Sequence, residues 1–168
     1  AALLLPLSAC SPGSSHAVLA GHTMGTTYSV RIAHVQVRPR DLQRLQADVD
    51  AALVEVNRQM STWESDSEIS RFNRAGANEP IAISPDFQFV VRCALEIAEA
   101  TGGAFDPTVG ALVNLWGFGP DGLRRAAPAP DQIAAARAVT GWRHLRLAPG
   151  GRLEKDVADL KLDLGAIA

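Results

Sequence analysis

The sequence predicts an α+β fold, with a mixed or antiparallel sheet and helices packed on it. Two patterns predict it. Thr26, Tyr28, Val30 and Ile32 alternate with Thr27, Ser29, Arg31 and Ala33, the period of two expected of a strand. Leu42, Leu45, Val49, Ala52, Leu53, Val56 and Met60 instead recur at steps of three and four, as do Phe87, Val90, Val91, Ala94, Leu95 and Ala98. That is the spacing of a helix with one buried face. The expected arrangement has helices over 41–59 and 85–101 on a sheet that includes strands near 24–33 and 159–164. With 168 residues and 47 % hydrophobic content, the chain can bury a core of its own.

Taken in order, the chain opens on AALLLPLSAC, an apolar run too short to span a bilayer. Leu7-Ser8-Ala9-Cys10 has the form of a lipobox, the end of a bacterial lipoprotein signal peptide. On that reading Cys10 is lipidated, residues 11–15 are a polar tether, and the chain divides into a signal remnant and tether over 1–20 and a domain over 21–168. The alternative is a frayed apolar terminus with an incidental Cys. Beginning without Met and stopping just after Gly165, the sequence reads as an incomplete chain.

The helix from Asp41 breaks at Ser61 and Thr62, and Trp63 follows in a loop beside an acidic run. That Trp is either a lid over the core edge or part of a site. Ser65 or Ser67 caps a short helix through Phe72. Residues 81–83 form a short strand. Ser84-Pro85-Asp86 then starts the next helix with a capping hydroxyl, a Pro at the first position and an acid near the positive end of the dipole.

Gly102 stops that helix and delivers the chain into TGGAFDPTVGALVNLWGFG, residues 101–119. Glycines at both ends turn the backbone sharply and allow close approach of a ligand. Phe105 and Trp116 offer flat faces. A helix end, a turn and a short buried helix account for the stretch equally well. Beyond it come a Pro- and Ala-rich loop, a short helix over 131–139, strands near 145–147 and 152–155 around Pro149-Gly150-Gly151, and a last strand over 160–164.

Lys plus Arg number 16 and Asp plus Glu 18, for a net charge of −2. With no basic patch, nucleic acid is not an expected partner. Cys10 and Cys93 are the only cysteines, and the four histidines are scattered without metal-type spacing.

Four stretches stand in register with one family: HTMGTTY at 22–28; MSTW at 60–63 with SEISRFN at 67–73; GGAFDPTVG at 102–110 with LVNLWGFG at 112–119; and LDLGAIA at 162–168. Together they closely resemble the ApbE family of FAD:protein FMN transferases, formerly labelled thiamine-biosynthesis lipoproteins. The resemblance implies an ApbE-like fold and an FAD site to which Met24, Trp63, Ala104, Phe105, Asp106 and Asp163 belong. Ala166 matches a position that binds Mg²⁺ through its backbone carbonyl. The implied reaction moves FMN from FAD to a Thr hydroxyl of a target protein and releases AMP. Such transfer is mostly positioning and charge neutralisation.

Partners implied with it are Thr-bearing proteins such as respiratory electron-transfer subunits. The implied setting is the periplasmic side of a bacterial inner membrane, held through the lipid on Cys10. Family members are roughly twice this length, so the resemblance implies part of the FAD pocket and assigns no general base. The alternatives are an FAD pyrophosphatase that yields FMN and AMP, and a non-enzymatic flavin-binding lipoprotein. The residues implied for the site also predict that Asp106 and Asp163 share one cleft, with Met24 and Trp63 at its rim.

Overall fold

A computed structural model describes residues 16–33, 37–123 and 126–167. Cys10 and residues 11–15 lie outside that range. The chain divides into two compact units, 1–53 and 54–168.

The first unit holds a hairpin and most of a long helix. Strand β1 (Ala17–Thr23) pairs antiparallel with β2 (Thr26–Ile32), from Ala17 opposite Ile32 to Thr23 opposite Thr26. Met24 (φ 49°) and Gly25 (φ 71°) make the two-residue turn. Left-handed geometry at both positions matches the twist of the flanking strands. Only β2 is legible as a strand from alternation, and β1 begins at Ala17, within the stretch read as tether. Gly21 faces Tyr28 across the ladder, and a Cβ at Gly21 would stand 2.6 Å from the Tyr28 ring. The Tyr28 hydroxyl donates to Asp50 and accepts from the Gln46 amide (2.5 Å) on α1 (Pro39–Met60). The bond to Asp50 holds that carboxyl below its ordinary range and raises the Tyr28 hydroxyl.

The second unit carries the core. Its elements are the end of α1, α2 (Glu68–Arg74), β3 (Ile81–Ala82), α3 (Pro85–Ala100), α4 (Gly110–Leu115), α5 (Pro130–Ala138), a 3₁₀ turn (Trp142–His144), β4 (Leu145–Ala148) and β5 (Arg152–Lys155). The three strands form an antiparallel sheet in the order β3-β5-β4. Phe72 of α2, Phe87, Val91 and Ala94 of α3, Leu153 of β5, and Leu160, Leu162 and Leu164 are buried together. Each large side chain so buried contributes roughly 1.5–3 kcal/mol.

Helix ends form as their residues dictate. Ser84 accepts from the Phe87 N–H at the start of α3. At its other end Gly102 (φ 62°) donates to Glu99 and Gly103 (φ 88°) to Ala98, the paired bonds of a Schellman motif. The N-cap of α2 is Ser67, whose hydroxyl accepts from the Ser70 N–H. Glu68, 4 % exposed, accepts from the Ser84 N–H at 2.7 Å and pairs with Arg58 at 3.1 Å, tying the end of α1 and the starts of α2 and α3 together.

The fold class is α+β, as the sequence predicts, but the sheet differs from the expected one. Among the described residues β2 pairs only with β1, and residues 159–164 form no strand. One parallel bridge, Val109 to Lys161, is the ladder contact of that stretch. Its apolar alternation is real: Leu160, Leu162 and Leu164 are all buried. The Asn73 side chain bonds Leu162, and Gly110 and Pro107 bond Lys161 and Asp163, where a neighbouring strand would otherwise stand. Alternation reports a buried face and not the partner that completes a ladder. His144 ends the 3₁₀ turn and bonds Asp156 at 2.7 Å.

Lys155 is the most unusual member of the core. It is 1 % exposed, donates to the carbonyls of Leu160 (2.8 Å) and Asn73 (3.2 Å), and lies over the Phe72 ring at 5.3 Å. Burial, helped by neighbouring Lys161, pushes its ammonium down to about 8. The unfolded chain, with an ordinary lysine near 10.5, therefore binds more protons than the folded one between those values. Stability is expected to rise as pH rises from about 8 to 10. Denaturant titrations should show that rise in the parent and its loss in Lys155→Met; a parallel pH dependence in the two proteins contradicts the assignment.

Candidate functional site

A cavity of about 330 Å³ opens in the second unit, at the lower end of the range for small-molecule sites. Five segments line it. Thr62, Trp63 and Ser65 come from the loop after α1, Ser70, Asn73 and Arg74 from α2, Gly110 and Asn114 from α4, and Lys161, Leu162 and Asp163 from the stretch near the end. Pro120 and Asp121 complete the lining.

Each segment is held by a local device. The Ser61 carbonyl accepts from the Ser67 hydroxyl at 2.6 Å and from the Ser70 hydroxyl at 3.4 Å, and the Trp63 N–H donates to the Ser61 hydroxyl at 3.3 Å. Those bonds fix a loop whose Trp63 side chain is 68 % exposed, a flat apolar face at the cavity mouth. Helix α4 begins at Gly110, whose N–H donates to the Lys161 carbonyl at 3.1 Å. A Cβ at Gly110 would stand 2.8 Å from that carbonyl oxygen, so only glycine allows so close an approach. The helix ends in a second Schellman pair, Gly117 to Asn114 and Phe118 to Val113. Gly119 then passes so near Asn114 that a Cβ there would fall 1.6 Å from its Oδ1.

Lys161 and Asp163 flank the buried Leu162 and line the cavity together. Asp163 accepts from the Gly165 N–H at 2.8 Å through Oδ1. Its other carboxylate oxygen has no partner among the described residues. Lys161 and Arg74 bring positive charge, Asp121 and Asp163 negative charge. A neutral hydroxyl or ring N–H can donate to Asp163, while an anionic group is drawn to Lys161.

The site residues expected from the sequence separate into groups. Trp63 and Asp163 line the cavity together, as expected. Met24 belongs to the hairpin turn of the other unit and is 57 % exposed. Ala104, Phe105 and Asp106 are not in the lining. Ala104 is exposed, and Phe105 packs against the core cluster. Asp106 does not share the cavity with Asp163, because both of its oxygens are committed elsewhere. Oδ1 accepts from the Thr108 N–H (2.8 Å) and hydroxyl (2.6 Å), and Oδ2 accepts from the Trp142 N–H (3.0 Å). The buried Thr108 hydroxyl in turn accepts from the Gly141 N–H at 2.7 Å. The Asp thus closes a turn and staples 106–108 to 141–142.

Ala166 is exposed, in the turn after Asp163. Mg²⁺ requires oxygen ligands in near-octahedral array. Among the described residues no cluster of three acidic, His or Cys groups could hold a metal. The residues present do not by themselves fit a magnesium site.

Sequence reasoning passed over Lys161, Asn73 and Asn114 as site residues. Lys161 was recoverable, since the alternation that buries Leu160, Leu162 and Leu164 places it on the same face as Asp163.

The profile of the ApbE family matches residues 24–168. A FAD:protein FMN transferase of Vibrio cholerae is 44 % identical over 167 residues, covering 99 % of this chain and 49 % of its own length. One of Klebsiella pneumoniae is 42 % identical over 160 residues, covering 94 % and 45 %. Among solved structures, the flavin transferase ApbE from Vibrio cholerae superposes with a TM-score of 0.82 at 42 % identity, over 90 % of this chain and 48 % of its own. The apo flavinyl transferase ApbE of Pseudomonas stutzeri gives 0.82 at 36 %, over 92 % and 51 %. The chain spans about half the length of the curated relatives it matches.

The geometry around Asp106 predicts the effect of its loss. Asp106→Ala strands the Thr108 and Trp142 N–H groups and is expected to cost about 2–3 kcal/mol of stability. Thermal denaturation checks this, and an unchanged melting temperature refutes the staple.

Proposed function

The chain belongs to the ApbE family, and from that premise we propose that it supplies a flavin-holding part of an FAD:protein FMN transferase. The observation that carries this is the cavity in which Trp63, Lys161 and Asp163 stand together. Trp63 offers a face on which a flat ring stacks. Lys161 attracts a phosphate oxygen, and Asp163 accepts from a neutral donor on the ligand. A cavity of about 330 Å³ suits one end of so long a ligand rather than the whole of it.

In the proposed reaction the bond from the FMN phosphorus to the bridging oxygen of FAD breaks, and AMP leaves with that oxygen. A Thr hydroxyl of the target forms the new P–O bond and releases its proton. Charge on the phosphoryl oxygens is the quantity to be offset, and Lys161 and Arg74 are the cations of the cavity placed to contribute. Mg²⁺ belongs to this reading as a cofactor with the Ala166 carbonyl as one ligand, and the described side chains do not complete its shell. Respiratory electron-transfer subunits are the proposed targets. The proposed setting is the periplasmic face of the inner membrane, anchored through Cys10. Cys10→Ser should move the protein to the soluble periplasmic fraction, and unchanged membrane retention would count against the anchor.

The flavin reading is tested by titrating FAD while following flavin fluorescence. The protein should quench FAD, and Asp163→Ala should weaken binding by about tenfold, the worth of one hydrogen bond to a charged group. Incubation with FAD, Mg²⁺ and a Thr-bearing protein reads the reaction. Flavin that stays with the target through denaturing electrophoresis supports transfer, and FMN with AMP but no labelled target points to hydrolysis. FAD fluorescence unaltered by the protein removes the flavin reading altogether.

A further inference from the structure

We propose that Asn73 is a positioning residue for the cavity, a side chain that takes the place of a missing strand and sets where Lys161 and Asp163 stand. Its Nδ2 donates to the Leu162 carbonyl at 2.9 Å, and its Oδ1 accepts from the Leu162 N–H at 2.7 Å. Two antiparallel N–H···O bonds to one residue are what a neighbouring strand would supply. On the other side the Lys161 carbonyl accepts from Gly110 (3.1 Å) and the Asp163 N–H donates to Pro107 (2.8 Å). Asn73 thereby provides both bonds on the Leu162 edge of this segment, and the 107–110 stretch bonds the Lys161 carbonyl and the Asp163 N–H on the other.

A second contact shows that the residue is more than a spacer. Its main-chain carbonyl accepts from Lys161 Nζ at 2.8 Å and from Lys155 Nζ at 3.2 Å. Asn73 therefore fixes the Lys161 ammonium directly and Asp163 through the adjoining Leu162. A buried N–H or C=O left without its partner costs free energy on the order of a lost hydrogen bond. Removing the side-chain amide would free Leu162 and, through it, the backbone of Lys161 and Asp163, while the main-chain hold on the Lys161 ammonium persists. Asn is suited to the task because its amide offers a donor and an acceptor side by side, as a peptide does. Asp keeps only the acceptor.

The ligand arm of the test rests on the flavin reading; the structural arm does not. Amide hydrogen exchange and FAD titration are measured on the parent, Asn73→Ala, Asn73→Asp and the core control Val91→Ala. Loss of protection at Leu162 and Asp163 with about tenfold weaker FAD binding in Asn73→Ala supports the inference. Asn73→Asp should fall between it and the parent, and Val91→Ala should lower the melting temperature without changing affinity. Unchanged protection in Asn73→Ala overturns the inference. So does lost protection with unchanged affinity, and so does an equal loss of affinity in Val91→Ala. Should Asn73→Ala fail to fold, Asn73→Asp carries the same comparison. A parent that binds no FAD removes the flavin reading, and exchange at Leu162 then decides the role of Asn73 alone.

Discussion

The backbone of residues 160–164 is the constraint on which the candidate site depends. Three leucines of this stretch lie in the core, which commits its backbone to a dry environment where every N–H and C=O needs a partner. No strand lies beside it among the described residues. The partners are instead a glycine helix start at Gly110, the Pro107 carbonyl, the Asn73 amide and the Lys155 ammonium. Asn73, Gly110 and Lys155 belong to three different elements, so satisfying one short segment gathers α2, α4 and the end of β5 around it. The cavity forms where those elements meet, with Lys161 and Asp163 on the side of the segment opposite the leucines.

That arrangement explains why the two charged residues keep their place without an ion pair between them. Lys161 is held by a carbonyl, and Asp163 by the Gly165 N–H. A direct pair would satisfy both charges internally, whereas separate neutral partners leave each able to meet a ligand. The nearby Lys155 differs because it is enclosed, with carbonyls as its only hydrogen-bond partners among the described residues. It contributes to the same bond network at the cost of burying a charge.

Helices, caps and turns were legible in the sequence because their signals are local. Ser84-Pro85, the 102–103 glycines and the 149–151 turn each act within a few residues. The hairpin was half legible. Tyr28 and its neighbours alternate, whereas β1 includes Gly21 and falls in a stretch whose composition suggests a tether. The last strand was misjudged because alternation shows which side is buried and cannot show that an Asn 89 residues earlier in the chain takes the role of a neighbouring strand. Of the residues expected at the site, Trp63 and Asp163 line one cavity. Asp106 was grouped with them by motif, but its oxygens close a turn. Its type and its place after a Gly-Gly pair suit either role, and only the partners at Thr108 and Trp142 separate them.

The central claim is that the cavity framed by residues 61–74, 110–114 and 161–163 is where flavin binds. Hydrogen-exchange mass spectrometry of the protein with and without FAD tests it most directly. The account predicts slowed exchange in peptides covering 61–74 and 159–165, with little change over 130–138. Protection confined to other segments, with those two unchanged while FAD is demonstrably bound, would contradict it.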